Sequence, residues 1–351
     1  MLNLTQTSFY VRRGLKISGI LLVAFLITRA AFKISSQLWK KAHPEPPPPP
    51  TVTFGKLPKL IFPNQLADLP KISYKLETIQ GSLPSLPDVG KVYFMPKKGP
   101  NLLALDRAKQ QARKMGFRNE PETVSETTYR WTSQGEPATV MEMDINYGNF
   151  HLKYDYNNDP EILVDKNLPT NQQAAQEAKT FLVNNGFLTD DLNQGTAEFE
   201  YLCFEPPNLN PVLSFSEASF VQANLFRADL DELKILPPNP KKANISFLFS
   251  GSRTPGKRIL EINYTYFPIE KETFATYPLK STNQAWSELQ ADKGYIAYLG
   301  QNQNGQVTIR KVYLAFYDSF EPQHYLQPIF VFEGDRNFFA YVPAIDLKWT
   351  D

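Results

Sequence analysis

Few side chains in this 351-residue sequence are spaced for chemistry, and each group that is has a plainer structural reading. Glu198 and Glu200 stand two apart in Ala197-Glu198-Phe199-Glu200. On a strand they share one face with Cα atoms about 7 Å apart, a separation that paired-carboxylate hydrolases also use. A solvated strand face explains the same pattern and is preferred. Asp155-x-Asn157-x-Asp159 opens like a calcium loop, but Pro160 replaces the glycine such a loop needs and Lys166 replaces its bidentate glutamate. His43, His151 and His324 are too few and too scattered for a zinc site. There is no G-x-S-x-G, H-E-x-x-H, G-x-G-x-x-G or Walker A pattern. The reading assigns no catalytic residue, no cofactor and no metal.

Cys203 is the single cysteine, so an internal disulfide is excluded and stability has to come from packed cores. Within Phe199-Glu200-Tyr201-Leu202-Cys203 it reads as a buried small hydrophobe. Asn3-Leu4-Thr5, Asn244-Ile245-Ser246 and Asn263-Tyr264-Thr265 fit the glycan-acceptor pattern, which matters only in a host that glycosylates.

The stretch that must position everything else runs from Gly14 to Pro50. Ile17 to Thr28 is uncharged, and if Lys16, Arg29 and Lys33 lift their charges toward headgroups, Leu15 to Ile34 is long enough for one tilted span. Leu15, Ile17, Ile20, Leu21, Leu22, Val23, Phe25, Leu26 and Ile27 are the anchor residues of this reading. A cleaved signal peptide is the rival, but its best site, Thr28-Arg29-Ala30, puts a charge where small residues are wanted. Basic residues flank both sides and leave orientation undecided by charge. The short basic tail before the span places residues 1–13 in the cytoplasm and the rest outside.

Residues 1–44 hold 7 Lys+Arg and no acid, leaving 30 bases against 36 acids in the remainder. That balance argues against nucleic acid as the partner. Pro44 to Pro50 is a polyproline spacer, whereas Phe54, Leu57, Leu60, Ile61 and Phe62 are too apolar for a solvated linker and should lie against the folded body. Ile72-Tyr74-Leu76 and Lys91 to Met95 read as strands within the 35–100 segment.

The body shows a weak internal repeat. Met115-Gly116-Phe117, Asn185-Gly186-Phe187 and Lys293-Gly294-Tyr295 each look like a helix closed by glycine, and Thr170 to Gln173 and Ser281 to Gln284 have capping-box spacing. Strands follow each helix: Val140 to Asn146 and Phe150 to Tyr156; then Ala197 to Phe204, Ser219 to Arg227, Ile245 to Phe249 and Ile259 to Phe267; then Val307 to Tyr317, Leu326 to Phe332 and Phe338 to Val342. Asn304-Gly305 is a two-residue hairpin signal, and the last sheet is apolar enough to need cover on both faces. The expected fold class is α+β: a single N-terminal transmembrane helix over 14–34, a stalk with docked strands over 35–100, and tandem helix-plus-antiparallel-sheet units over 101–166, 167–280 and 281–351.

A helix followed by three or four antiparallel strands, repeated behind one N-terminal span, resembles PepSY-type modules and the YycH/YycI-type membrane regulators of sensor kinases. Ala285-Trp286, Gly294-Tyr295-Ile296, Gln327 to Gly334 and Ala340-Tyr341-Val342-Pro343-Ala344 carry the likeness. It implies a non-enzymatic, extracytoplasmic module of the cell envelope. That module touches the lipid bilayer through residues 14–34 and has another envelope or membrane protein as partner. It carries over no functional residue. An envelope-polymer hydrolase working through Glu198 and Glu200, or a structural or adhesive surface protein, are the alternatives.

Overall fold

The computed structural model describes residues 17–18, 21–22, 24–36, 39, 49–65, 69–99, 101–159 and 161–351, and the chain divides into Met1–Pro49 and Pro50–Asp351. In the first unit the described residues from 17 to 36, and residue 39, are helical. Ile17, Leu21, Leu22, Phe25, Leu26 and Ile27 carry exposed side chains there. Leu15, Ile20, Val23 and His43 lie outside the described residues, as does most of the proline block. No helix among the described residues is long and apolar enough to cross a membrane, which overturns the expected spanning helix. The cause is visible in the residues: Arg29 and Lys33 interrupt the apolar run, and Ile17 to Thr28 falls well short of the roughly 20 residues a bilayer core requires.

The second unit corrects the fold class as well. Sheet dominates it, with eighteen strands in three sheets against short α-helices among the described residues, rather than an even α+β alternation. Segments without a clear period supply the excess, such as Thr128–Thr132 and the long Glu270–Pro278. The helices are α1 (Ala104–Lys114), α2 (Asn171–Asn184), α3 (Asp190–Gln194) and α4 (Thr282–Gln290). Both capping boxes form, at Thr170 with Gln173 and at Ser281 with Gln284. Gly116 and Gly186 close α1 and α2 with φ of 97° and 72°. After α4 it is Asp292 that turns left-handed, at φ 57°. Gly294 is required there by space, since a Cβ would come within 2.7 Å of Leu289 Cδ1.

The largest sheet is antiparallel and holds β3 (Glu122–Thr123), β4 (Thr128–Thr132), β5 (Thr139–Asp144), β6 (Phe150–Tyr154), β7 (Ala197–Glu205), β8 (Asn208–Val212), β9 (Phe220–Leu225), β11 (Ile245–Phe249) and β12 (Ile259–Tyr264). Its order is β3-β4-β5-β6-β12-β11-β9-β7-β8, so strands that follow α1 and strands that follow α2 merge into one sheet. Register explains why helices sit on one side only. Across the strands Trp131, Met141, Leu152, Ile262, Phe247, Ala223 and Phe199 fall in one row, all apolar, under the alanines of α1 and α2.

The six-stranded sheet comprises β1 (Ser73–Leu76), β10 (Ile235–Leu236), β14 (Tyr295–Tyr298), β15 (Gln306–Tyr317), β17 (Pro328–Gly334) and β18 (Phe338–Pro343). Its order is β1-β15-β17-β18-β14, with β10 beside β15. β14 therefore lies at the edge away from β15, and Asn304-Gly305 is a turn without a hairpin, because β18 takes β14 as its neighbour. Phe330 and Phe332 point to a core shared with α4, while Ile329 and Val331 point to a second core. Leu60 and Phe62 of the proline-rich segment help to cover the latter, as their apolarity implied. The third sheet is β13 (Glu270–Pro278), β2 (Val89–Phe94) and β16 (Tyr325–Leu326).

Candidate functional site

The side of the nine-stranded sheet that the helices leave open carries mostly polar residues at the alternate positions, with Val140 and the buried Leu248 as exceptions. One row reads Arg130, Glu142, His151, Asn263, Ser246, Asn224 and Glu198 from β4 to β7. The next reads Thr132, Val140, Lys153, Glu261, Leu248, Gln222 and Glu200. Adjacent rungs are about 4.8 Å apart, so the rows are polar ladders running perpendicular to the strands.

The two ends of the ladder differ. From β4 to β12 its groups are spent on one another: Arg130 donates to Glu142 at 2.8 Å, His151 meets Glu261 at 3.3 Å, and Asn263 donates to Glu261 at 3.2 Å and to Ser246 at 3.3 Å. Burial works to raise the Glu261 carboxyl, and the His151 and Asn263 hydrogen bonds overcome it, holding it below the usual range. On β9 and β7 most of the groups are unspent. Gln222, Glu198 and Glu200 make no side-chain hydrogen bond or ion pair with other described residues, and neither does the ammonium of Lys242 above them.

That half is a groove. A concavity of about 470 Å³ is bounded by Glu200, Gln222, Asn224, Ser246, Glu261 and Asn263 on the sheet, with Lys242 to Asn244 as one wall and Leu209, Pro211 and Phe320 as apolar borders. A second hollow of about 280 Å³ shares Glu200, Asn224 and Lys242 with it and is lined further by Glu198, Tyr298 and Asn337. Asn224 forms part of the floor at 4% exposure; its Oδ1 accepts from the Ala243 N–H at 3.3 Å, while its Nδ2 has no partner among the described residues. Asn244, also in the lining, donates to the Asp318 carbonyl at 3.0 Å and leaves its buried Oδ1 unpaired.

Three of the sheet edges, at β8, β3 and β14, are poorly suited to a further strand. β8 carries Pro211, which has no N–H to give, and β3 is two residues long. At β14 the Gln65 amide stands in for a strand, donating to the Gly294 carbonyl at 3.2 Å and accepting from the Ile296 N–H at 3.4 Å.

Neither a protein-family model nor any curated protein matches the chain. Among solved structures, it is similar to an uncharacterized protein from Eubacterium rectale ATCC 33656 at 9% identity, over 72% of this chain and 82% of that one, with a TM-score of 0.35. That likeness carries no functional argument.

The groups singled out from sequence fall in different places. Glu198 and Glu200 do share a face and line a hollow together, Glu198 exposed and Glu200 half-buried. Asp159 is held by the Tyr154 hydroxyl at 2.7 Å and the Lys257 ammonium at 2.7 Å, and it serves as a structural anchor. His151 is a half-exposed member of the ladder. The His324 carbonyl accepts from the Met95 N–H at 2.8 Å. Cys203 is half-buried and free rather than fully buried. Asn244 is buried with its amide engaged, and Asn263 lies in mid-sheet, so neither sequon is open to a glycosylating enzyme in the folded chain. Gln222 and Asn224 were not anticipated as site residues; their signal was the polar alternation Gln222-Ala223-Asn224 in a strand whose other positions are apolar.

Proposed function

We propose that this protein is a non-enzymatic binding module of the cell envelope, which receives an extended envelope component in the groove on the open face of its nine-stranded sheet. The observation that carries the reading is the set of groups at the floor of the groove that the fold leaves unengaged: Asn224 Nδ2, Gln222 and Glu200, which make no side-chain hydrogen bond or ion pair with other described residues. The one buried polar atom left without a partner among the described residues, Asn244 Oδ1, belongs to the same lining, so a ligand has hydrogen-bonding capacity to meet there. Contact of residues 14–34 with a lipid bilayer, and an extracytoplasmic position for the body, belong to the same proposal. The exposed apolar side chains of Phe25, Leu26 and Ile27 support an apolar contact there.

The test is photo-crosslinking in intact cells with a reactive side chain at position 222, and a control at Lys271 on the three-stranded sheet. An adduct formed at 222 and not at 271 is expected. No adduct at 222, or equal adducts at both positions, would remove the groove from the function.

A further inference from the structure

We infer that the groove takes a neutral linear polysaccharide, its sugar rings laid across the strands; the inference rests on the binding role proposed above and names its ligand class. Three properties of the groove lead to it. The first is charge: Glu198 and Glu200 on the sheet stand opposite Lys241 and Lys242 on the wall, so the lining favours neither an anion nor a cation. The second is the mixture of unspent groups. Donors are present at Asn224 Nδ2, Gln222 Nε2 and Lys242 Nζ, and acceptors at Gln222 Oε1 and the Glu200 carboxylate, interleaved rather than sorted. Hydroxyl groups both donate and accept, so a polyol can satisfy such an array in either sense. Leu209, Pro211 and Phe320, the last 45% exposed, offer the apolar surface on which the C–H face of a sugar ring packs.

The third property is period. The ladder advances by about 4.8 Å from strand to strand, close to the length one pyranose ring adds to a linear glycan, so successive rings meet equivalent rungs. From β12 to β7 that spans roughly 14 Å, room for about three rings. A peptide stretched along the same line repeats its side chains every two residues, about 6.6 Å, and falls out of step with the rungs. An added strand would need a sheet edge, and β8, the edge beside the groove, carries Pro211, which has no N–H to give.

The experiment is calorimetric titration of the full chain with cellohexaose, with chitohexaose, with the corresponding disaccharides, and with an uncharged Gly-Ser decapeptide. At least one hexasaccharide should bind at least tenfold more tightly than its disaccharide, and the peptide should not bind. Gln222→Ala and Glu200→Ala should each weaken that binding about tenfold without moving the thermal midpoint; both side chains lie outside the buried core, so these variants report on the groove and not on folding. Binding of the peptide alone, no binding by either glycan, or affinities untouched by both substitutions would overturn the assignment. If both glycans fail while position 222 still crosslinks in cells, the ligand class falls and the binding role stands.

Discussion

The guanidinium of Arg227, just past β9, donates through Nη1 to Asp318 at 3.3 Å, and so joins the nine-stranded sheet to the end of β15 in the six-stranded one. Its Nε donates to Asp191 at 2.7 Å, its Nη1 also reaches the Phe267 carbonyl at 3.1 Å, and the Tyr266 ring lies 4.5 Å away. All three charged residues are buried. Two carboxylates facing one guanidinium leave one negative charge too many, and the surroundings decide which acid bears the cost.

The two acids respond oppositely to pH. Burial works to raise the Asp191 carboxyl, but Arg227 and the Thr189 hydroxyl overcome it and hold it below the usual range. At Asp318 burial wins over Arg227, and the carboxyl is raised. The lowered Asp191 contributes stability that is present above about pH 3.9 and lost as pH falls through its folded value. The raised Asp318 contributes stability that is present below about pH 3.9 and lost as pH climbs through its folded value. Asp191→Asn should therefore be the more destabilising change at neutral pH, since it leaves Arg227 with only Asp318, whose charged form burial disfavours. Asp318→Asn should cost far less at pH 7, and its deficit relative to the parent should grow as pH is lowered toward 4. Urea unfolding at pH 4, 5.5 and 7 checks both, and equal losses for the two variants at every pH would refute the division of roles.

The capping boxes offer a second check. Thr170 accepts from the Gln173 N–H at 3.3 Å and Ser281 accepts from the Gln284 N–H at 3.2 Å, each with the glutamine side chain returning to the cap backbone. Thr170→Ala and Ser281→Ala should each destabilise by about 1 kcal/mol. The double variant should show the sum, because the boxes lie on separate helices with no shared partner. Chemical denaturation of the four proteins measures this directly.

These boxes were legible because a cap is local: hydroxyl, spacing and glutamine all fall within four residues. Ile245–Phe249 was legible for a related reason, its boundaries set by local apolar composition. What local pattern could not supply was pairing. Asn304-Gly305 turns without making a hairpin, and β14 goes to the far edge beside β18, where Gln65 and Phe62 contact it. The groove was half legible. Glu198 and Glu200 were seen as one face of one strand, but the rows through Gln222, Asn224 and Ser246 depend on which strands become neighbours. The spanning helix failed at Arg29 and Lys33, charges the reading had assigned to the headgroups.

Gly305 tests the register at the other edge. Its φ is 72°, and a Cβ there would come within 2.3 Å of the Lys71 carbonyl oxygen. The Gly305 carbonyl also accepts from the Ser73 N–H at 2.8 Å, so this residue starts the parallel pairing of β1 with β15. Gly305→Ala should destabilise by more than about 1 kcal/mol. It should also speed hydrogen exchange over Ser73–Leu76 ahead of the rest of the sheet. Uniform exchange across both strands would show that β1 is held by Tyr74 and Leu76 packing alone.

The segment before β1 should be part of the fold and not a tether. Leu57 is fully buried, donates its N–H to the Trp349 carbonyl at 2.8 Å and bridges to Thr350. Phe62 stacks on Tyr295 at 4.9 Å and meets Tyr317 edge-on at 4.7 Å, and the Pro58 carbonyl accepts from Gln327 at 2.9 Å. These contacts lie on both sides of the six-stranded sheet, the first within the α4 core and the second within the opposite one. Leu57→Ala should cost roughly 2–5 kcal/mol, since truncation removes buried methyl groups and leaves a cavity beneath Trp349. Deleting 51–63 should go further, exposing Tyr295, Tyr317 and Gln327 together. Hydrogen exchange would report it as lost protection in Gln306–Tyr317 and Pro328–Pro343, with Thr139–Tyr154 of the nine-stranded sheet retained. Unchanged protection in those C-terminal strands would mean that the β15–β17–β18 ladder holds itself, and that the packed segment adds contacts without adding stability.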